Sequence, residues 1–192
     1  MEQTIYNAFV DILKAELLPA MGCTEPIALA YAAALARQTL GVEPDTVVIR
    51  ASGNIVKNVK SVIVPNTGGL RGITAAAAAG IVAGDASLEL EVLSKVTPAQ
   101  IEAMAVYLKT ARFSVLEAAN DCVFHISVTV QRDGHEAEVC ISGYHTNVVL
   151  VRLDSKILRQ LDYTEEGAEP RNGYNELSVA RIAEFAREAN LD

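Results

Sequence analysis

The residue with the most chemistry available to it is Cys23, in the run Ala20-Met21-Gly22-Cys23-Thr24-Glu25-Pro26. Pro26 suits the first turn of a helix and Thr24 or Glu25 its cap, so Cys23 falls just ahead of a helix amino-terminus. A thiol placed there is expected to have its pKa lowered, because free backbone N–H groups and the helix dipole stabilise the thiolate. Such a cysteine can act as a base or a nucleophile near neutral pH. The competing reading is a small buried residue with no chemistry. The residue types around Cys23 leave both readings open.

Cys122 and Cys140 fall in or beside a strand-like region with no basic neighbour to activate them, and are expected to be structural. His125 and His135 read as solvated residues on the polar side of a hairpin and at its turn. His145 lies among Gly143, Thr146 and Asn147, a strand-initiating loop of the kind that exposes polar groups to a ligand; a hydrogen-bonded turn histidine is the alternative. Two further loops could receive an anion. Asn66-Thr67-Gly68-Gly69 presents backbone N–H groups ahead of an alanine-rich helix, and Ser52 to Asn58 offers Asn54, Lys57 and Asn58 as donors. Ordinary turns would explain both. Neither has the Gly-x-x-x-x-Gly-Lys-Ser/Thr pattern of a nucleotide loop, so ATP is not expected.

The elements that must position these residues follow from periodicity. Ile5, Phe9, Ile12, Leu13 and Leu17 mark an amphipathic helix from Gln3 to Leu18, closed by Pro19. The helix after Cys23 runs through Ile27, Leu29, Tyr31 and Leu35 to Gly41 and Pro44. Thr46 to Ala51 and Ser61 to Val64 read as strands separated by the Ser52–Asn58 loop, and Asn66–Gly69 opens a helix through Ala75–Ala79 that ends near Gly84. Thr97-Pro98 starts another helix, which reaches Lys109. From Phe113 the period changes to two: Phe124 to Val130 and Ala137 to Ile141 form a hairpin around Asp133-Gly134, followed by strands Val148 to Leu153 and Ile157 to Leu161. Thr164 to Gly173 has the composition of a linker, and Leu177, Ile182 and Phe185 mark a last helix. The expected fold is α+β, with residues 1–163 as one domain, divisible into lobes 1–111 and 112–163, and 164–192 as linker and helix.

Composition narrows the partners. The chain has 192 residues, 51% of them apolar, which is ample for a buried core. A net charge of -8 argues against nucleic acid and against an anionic membrane surface, both of which are bound through excess Lys and Arg. A small anionic or zwitterionic ligand would instead need a local positive site. The three cysteines stand at unrelated spacings with no Cys-x-x-Cys pair, so neither a disulfide framework nor a zinc site is implied. Met1 to Tyr6 lacks a signal-peptide pattern and no apolar run approaches the roughly 20 residues of a membrane span, so the expected compartment is the cytoplasm.

The blocks Leu18-Pro19-Ala20-Met21-Gly22-Cys23-Thr24-Glu25-Pro26-Ile27-Ala28-Leu29-Ala30, Ser52-Gly53-Asn54-Ile55-Val56-Lys57-Asn58, Val64-Pro65-Asn66-Thr67-Gly68 and Gly143-Tyr144-His145-Thr146-Asn147-Val148 resemble, in order and spacing, those of L-cysteine desulfidases, relatives of the iron-sulfur L-serine dehydratases. The resemblance implies α,β-elimination of L-cysteine to sulfide, ammonia and pyruvate, without pyridoxal phosphate. It implies a 4Fe-4S cluster whose open iron is a Lewis acid for the leaving group, and a separate cysteine, matched by Cys23, that removes the α-proton. Thr24, Glu25, Asn54, Lys57, Asn58, Asn66, Thr67, Gly68, His145 and Asn147 are the matching substrate-site candidates. The cluster cysteines of that family belong to a carboxy-terminal half with no counterpart here, and Cys122 and Cys140 do not match them. The chain is therefore expected to be a fragment or one subunit of a split enzyme, to bind no cluster or other metal alone, and to be inactive alone. Its partners would be a small amino acid and the missing carboxy-terminal domain or subunit, with a homo-oligomer left open. The alternatives are an L-serine dehydratase-like deaminase and a non-catalytic amino-acid-binding regulatory module.

Overall fold

The computed structural model describes residues 1–162 and 173–190. The chain divides into two compact units, Met1–Pro19 with Glu166–Asp192, and Ala20–Glu165. The expected linker, Thr164 to Gly173, lies outside the described residues except for Gly173.

In the first unit, helix α1 (Gln3–Glu16) and the terminal helix α6 (Val179–Glu188) meet through aromatic rings. Phe9 and Phe185 are buried with ring centroids 5.1 Å apart, and Tyr6 stacks on Phe185 at the same distance. Ser178 caps α6 by accepting from the Arg181 amide, and the Tyr174 hydroxyl donates to Glu16.

The second unit is an α+β layer structure, built on helix α2 (Thr24–Leu40) and a six-stranded mixed sheet. Its strands, β1 (Thr46–Ala51), β2 (Arg112–Glu117), β3 (His125–Arg132), β4 (His135–Ser142), β5 (Val148–Leu153) and β6 (Lys156–Gln160), lie in the order β2-β1-β3-β4-β5-β6. Asp133 and Gly134 both have positive φ, 50° and 84°, which is the turn geometry that matches the twist of a tight hairpin. The expected β3–β4 hairpin is therefore present with the expected turn. The parallel pairing of β2 with β1 was not expected; it joins residues from 1–111 and 112–163 in one sheet.

Alternation along the strands puts Val47, Ile49, Ile126, Val128, Val130, Ala137, Val139 and Ile141 on one face, where they pack around α2. Helix α2 is buried almost all round, from Pro26 to Ala34, because helix α4 (Ile73–Ala83) packs on it as well. Small residues make that crossing close: a Cβ on Gly80 would stand 2.0 Å from the Ala30 carbonyl oxygen. Helix α5 (Pro98–Thr110) begins with a full capping box between Thr97 and Gln100 and packs outside α4.

Two expected elements differ. Residues Gly53–Val59 form a short helix, α3, where a loop was expected, since Ile55 and Val59 at helical spacing are both buried. Ser61 to Val64 is not a strand; only an isolated bridge, Ile63 to Arg71, forms there. Among the described residues, no helix is long and apolar enough to cross a membrane.

Candidate functional site

Cys23 itself occupies the N-cap of α2, in place of the expected Thr24 or Glu25. Its backbone is extended and the preceding Gly22 has φ +104°, a conformation that costs glycine little. Gly22 lies beside Pro65, where an added Cβ would be 3.6 Å from the ring, so the Cys23 loop abuts the turn that follows Val64.

The exposed Cys23 thiol does not turn back to cap the helix. It donates to Glu25 Oε2 at 3.1 Å, and Asn58 Nδ2, reaching over from α3, donates to Glu25 Oε1 at 3.3 Å. The electrostatics are opposite to those expected. Partial burial first, and then the hydrogen bond to Glu25 and its charge, raise the pKa of the Cys23 thiol above its ordinary value. The lowered pKa anticipated from the helix amino-terminus is corrected accordingly: burial, together with a carboxylate within hydrogen-bonding distance, disfavours the thiolate. Glu25 is shifted the other way. The hydrogen bond from Cys23 lowers its pKa most, burial opposes, and its own amide, Asn58 and the nearby His145 add to the lowering.

The His145 ring stacks against Phe124 at 4.5 Å between centroids, and its Nε2 is buried without a hydrogen-bond partner among the described residues. Burial lowers its pKa against the pull of Glu25, so it is a neutral imidazole at pH 7. A buried ring nitrogen left unpaired beside a carboxylate-thiol pair is a vacant hydrogen-bonding position.

The other candidates divide. Asn54, Lys57 and Asn58 share one face of α3 by their spacing, and all three are exposed; Asn58 is the one that reaches Glu25. Thr24 is half-buried in the first turn of α2. Asn66 and Thr67 use their side chains locally: Asn66 Nδ2 donates to the Leu93 carbonyl at 3.0 Å, and the buried Thr67 hydroxyl donates to the Val64 carbonyl at 2.7 Å. Gly68 has φ +69° and packs toward Ile101. The Asn66–Gly69 turn does not open α4, whose N-cap is Gly72, so the expected anion-binding helix start is absent from this turn. Asn147 closes the turn between β4 and β5 by donating to the Ser142 carbonyl at 2.9 Å.

Cys140 is buried and its thiol is pushed up to about 12, by burial first and then by Glu138 and Cys122, which fits a structural role. His135 is exposed and pairs with Asp154, as a solvated histidine does. His125, expected to be solvated, is half-buried beside Cys140 with its pKa lowered by burial. Among the described residues, no group of three or more His, Cys, Asp or Glu side chains could hold a metal ion.

What sequence reading missed was the relation between the candidates. Glu25 was legible as a residue but not as the carboxylate that holds the Cys23 proton. The spacing of two between them was the available signal, since the first turn of a helix brings an N-cap side chain back to the residues just inside it.

No family model matches the chain, and no solved structure does. Among curated proteins it is similar to a UPF0597 protein of Desulfitobacterium hafniense, 41% identical over 187 residues, which covers 97% of this chain and 44% of the relative. A UPF0597 protein of Finegoldia magna is 42% identical over 96% of this chain and 44% of its own length, and one of Treponema denticola is 37% identical over 100% and 45%. These names correct the resemblance drawn from the motif blocks: the relatives that match nearly the whole chain are UPF0597 proteins and do not bear the name of an L-cysteine desulfidase or a serine dehydratase. The chain spans under half the length of these curated relatives.

Proposed function

We propose that the chain is part of a lyase that eliminates sulfide from L-cysteine, leaving pyruvate and ammonia, with Cys23 as the acceptor of the α-proton. The observation that carries this reading is the Cys23 to Glu25 hydrogen bond, braced by Asn58 and set beside the unpaired Nε2 of His145. A base must first lose its own proton, and the free site opposes that loss by partly burying the thiol and setting the Glu25 carboxylate next to it. A substrate ammonium set against Glu25 reverses the balance, because a positive charge beside the pair favours the thiolate. The thiol proton then leaves to solvent, to which Cys23 is exposed, and the thiolate takes the α-proton of the substrate. As the α-carbanion forms the double bond, the β-carbon to sulfur bond breaks and hydrosulfide leaves. The aminoacrylate tautomerises to an imine, and water hydrolyses it to pyruvate and ammonia. This reading has neutral His145 donate a hydrogen bond to the substrate carboxylate. No step here is assigned to a cluster.

The same proton transfer serves L-serine, with water as leaving group, so a serine deaminase is the nearest variant. The raised pKa of Cys23 favours a second reading, an amino-acid-binding module that never forms the thiolate.

The test uses the complete protein. Sulfide and pyruvate appearing in equal amounts from L-cysteine support the lyase; pyruvate from serine without sulfide from cysteine moves the substrate; ligand-induced stabilisation with no product from either supports the binding module. Cys23→Ser is expected to remove at least about a thousandfold of kcat, since a hydroxyl is a far weaker proton acceptor. Activity that survives this substitution largely intact sinks the assignment of Cys23.

A further inference from the structure

The sheet face turned away from α2 carries a cavity of about 560 Å³, within the range of small-ligand sites. Its floor is a cross-strand row. Arg50 of β1 faces Ser127 of β3, Ser127 faces Cys140 of β4, Cys140 faces Leu150 of β5, and Leu150 faces Gln160 of β6. At strand spacings of about 4.8 Å the row extends roughly 19 Å across the sheet. Ala118, Ala119 and Asn120 from the connection between β2 and β3 wall one side, and Ile157 and Leu161 the other.

Polar groups on this face are unusually well buried for a sheet surface that no helix of its unit covers. Ser127 is 4% exposed and Cys140 7%. Most of the charge is already spent. Glu138 accepts from the Ser127 hydroxyl at 2.9 Å and from Arg152 Nη2 at 2.8 Å; Arg152 also donates to Glu136 and to the Asp154 carbonyl. Burial lowers the pKa of His125 and raises that of Cys140, so both are neutral at pH 7. One group is left over. Arg50 lines the cavity and makes no hydrogen bond or ion pair with the described residues. Arg152 is already held by two carboxylates, Glu138 and Glu136, so Arg50 is the lining cation left without a counter-charge among the described residues.

We propose that this cavity binds a small monocarboxylate with an apolar chain, its carboxylate paired with the Arg50 guanidinium and its chain laid along Cys140, Leu150 and Leu161. A guanidinium matches a carboxylate through two parallel N–H donors, and the neutral Cys140 thiol with the aliphatic side chains of Leu150 and Leu161 suits an apolar chain. A single unspent positive charge suits a monoanion. A phosphate dianion would leave a negative charge uncompensated, and among the described residues no helix amino-terminus lines the cavity to receive it. The site shares no residue with the Cys23, Glu25, Asn58 and His145 cluster, so its existence does not depend on the lyase assignment.

The probes are hexanoate, its uncharged analogue hexanamide, and hexyl phosphate, titrated into the 192-residue chain with backbone amide shifts as the readout. Hexanoate is expected to give saturable shifts centred on Ser127, Cys140 and Leu150, with hexanamide at least about tenfold weaker, the loss of one charge-assisted pairing. Arg50→Gln should weaken hexanoate by a similar factor, and Arg50→Lys by less, since it keeps the charge and loses the paired donors. Arg50 is an exposed strand residue, and the dispersion of the amide spectrum shows whether each variant is folded; the hexanamide comparison needs no variant at all. Hexanoate and hexanamide binding equally, shifts confined to other regions, indifference to Arg50→Gln in a folded variant, or tighter binding of hexyl phosphate would each overturn the proposal.

Discussion

A thiol hydrogen-bonded to a carboxylate is a different reagent from one at a bare helix end. At Cys23 partial burial, and then the hydrogen bond to Glu25 and its charge, resist ionisation, so the thiolate fraction at neutral pH is smaller than for an unperturbed cysteine. Alkylation by iodoacetamide, which needs the thiolate, is therefore expected to be slow at pH 7 and to climb as pH passes the raised pKa. Removing the charge with Glu25→Gln lowers that pKa, and the rate at pH 8 should rise about three- to tenfold, read by mass spectrometry of the Cys23 peptide. A rate that falls, or a pH profile that does not move, would mean that Glu25 does not govern the thiol. Cys140, with a thiol pushed up to about 12 in a buried strand, should label last. Residue types made Cys23, Glu25, Asn58 and His145 candidates from sequence alone. Their pairing was not legible, because it depends on α3 approaching the start of α2, a contact between segments 33 residues apart.

At the scale of elements, hydrophobic period and turn chemistry made most of the fold readable: α2 with its Gly41 stop, the capping box of α5, and the Asp133-Gly134 hairpin all stand where their signals lie. The failures are short. Gly53–Val59 has a glycine, two asparagines and three β-branched residues in seven positions, a poor helix by propensity, and it is helical because Ile55 and Val59 reach the core. Ser61 to Val64 has good strand residues, but among its apolar ones only Val64 is fully buried and Ile63 is exposed, so no ladder forms. The alanine run of α4 has a physical purpose that the sequence only hinted at, since small side chains let two buried helices cross closely. Gly80→Ala places a methyl group 2.0 Å from the Ala30 carbonyl oxygen, which the backbone can relieve only by separating α2 from α4. It is expected to cost about 3 kcal/mol or more in urea unfolding, beyond the usual overpacking range because the obstacle is backbone. Tyr107→Phe should cost less, about 1 kcal/mol, for the buried hydrogen bond from its hydroxyl to the Pro44 carbonyl. Gly80→Ala unfolding no more easily than Tyr107→Phe would show that the crossing is looser than it stands here.

For the whole molecule, what matters is where the core is drawn from. The main cluster of buried residues runs from Ile27 to Val151, with its partly buried surround from Met21 to Leu153, so every member belongs to the unit Ala20–Glu165. Cys23, Glu25, Asn58 and His145 are in that unit too, as are all six strands. The other unit has a much smaller core, centred on Phe9 and Phe185. A domain that buries its own core can fold alone, and about 146 residues is an ordinary size for one. The chain from Ala20 to Glu165, expressed by itself, is therefore expected to unfold in one cooperative transition, with a midpoint within about 5 °C of the main transition of the whole chain, a shift of roughly 1 to 2 kcal/mol at this size. Its Cys23 should keep the same alkylation profile, because every group that perturbs the thiol travels with it. Two readouts separate the possible failures. A shortened chain that melts without cooperativity shows that the helical unit completes the core; one that melts normally but alkylates Cys23 faster at pH 7 shows that the helical unit shapes the site while leaving the fold intact.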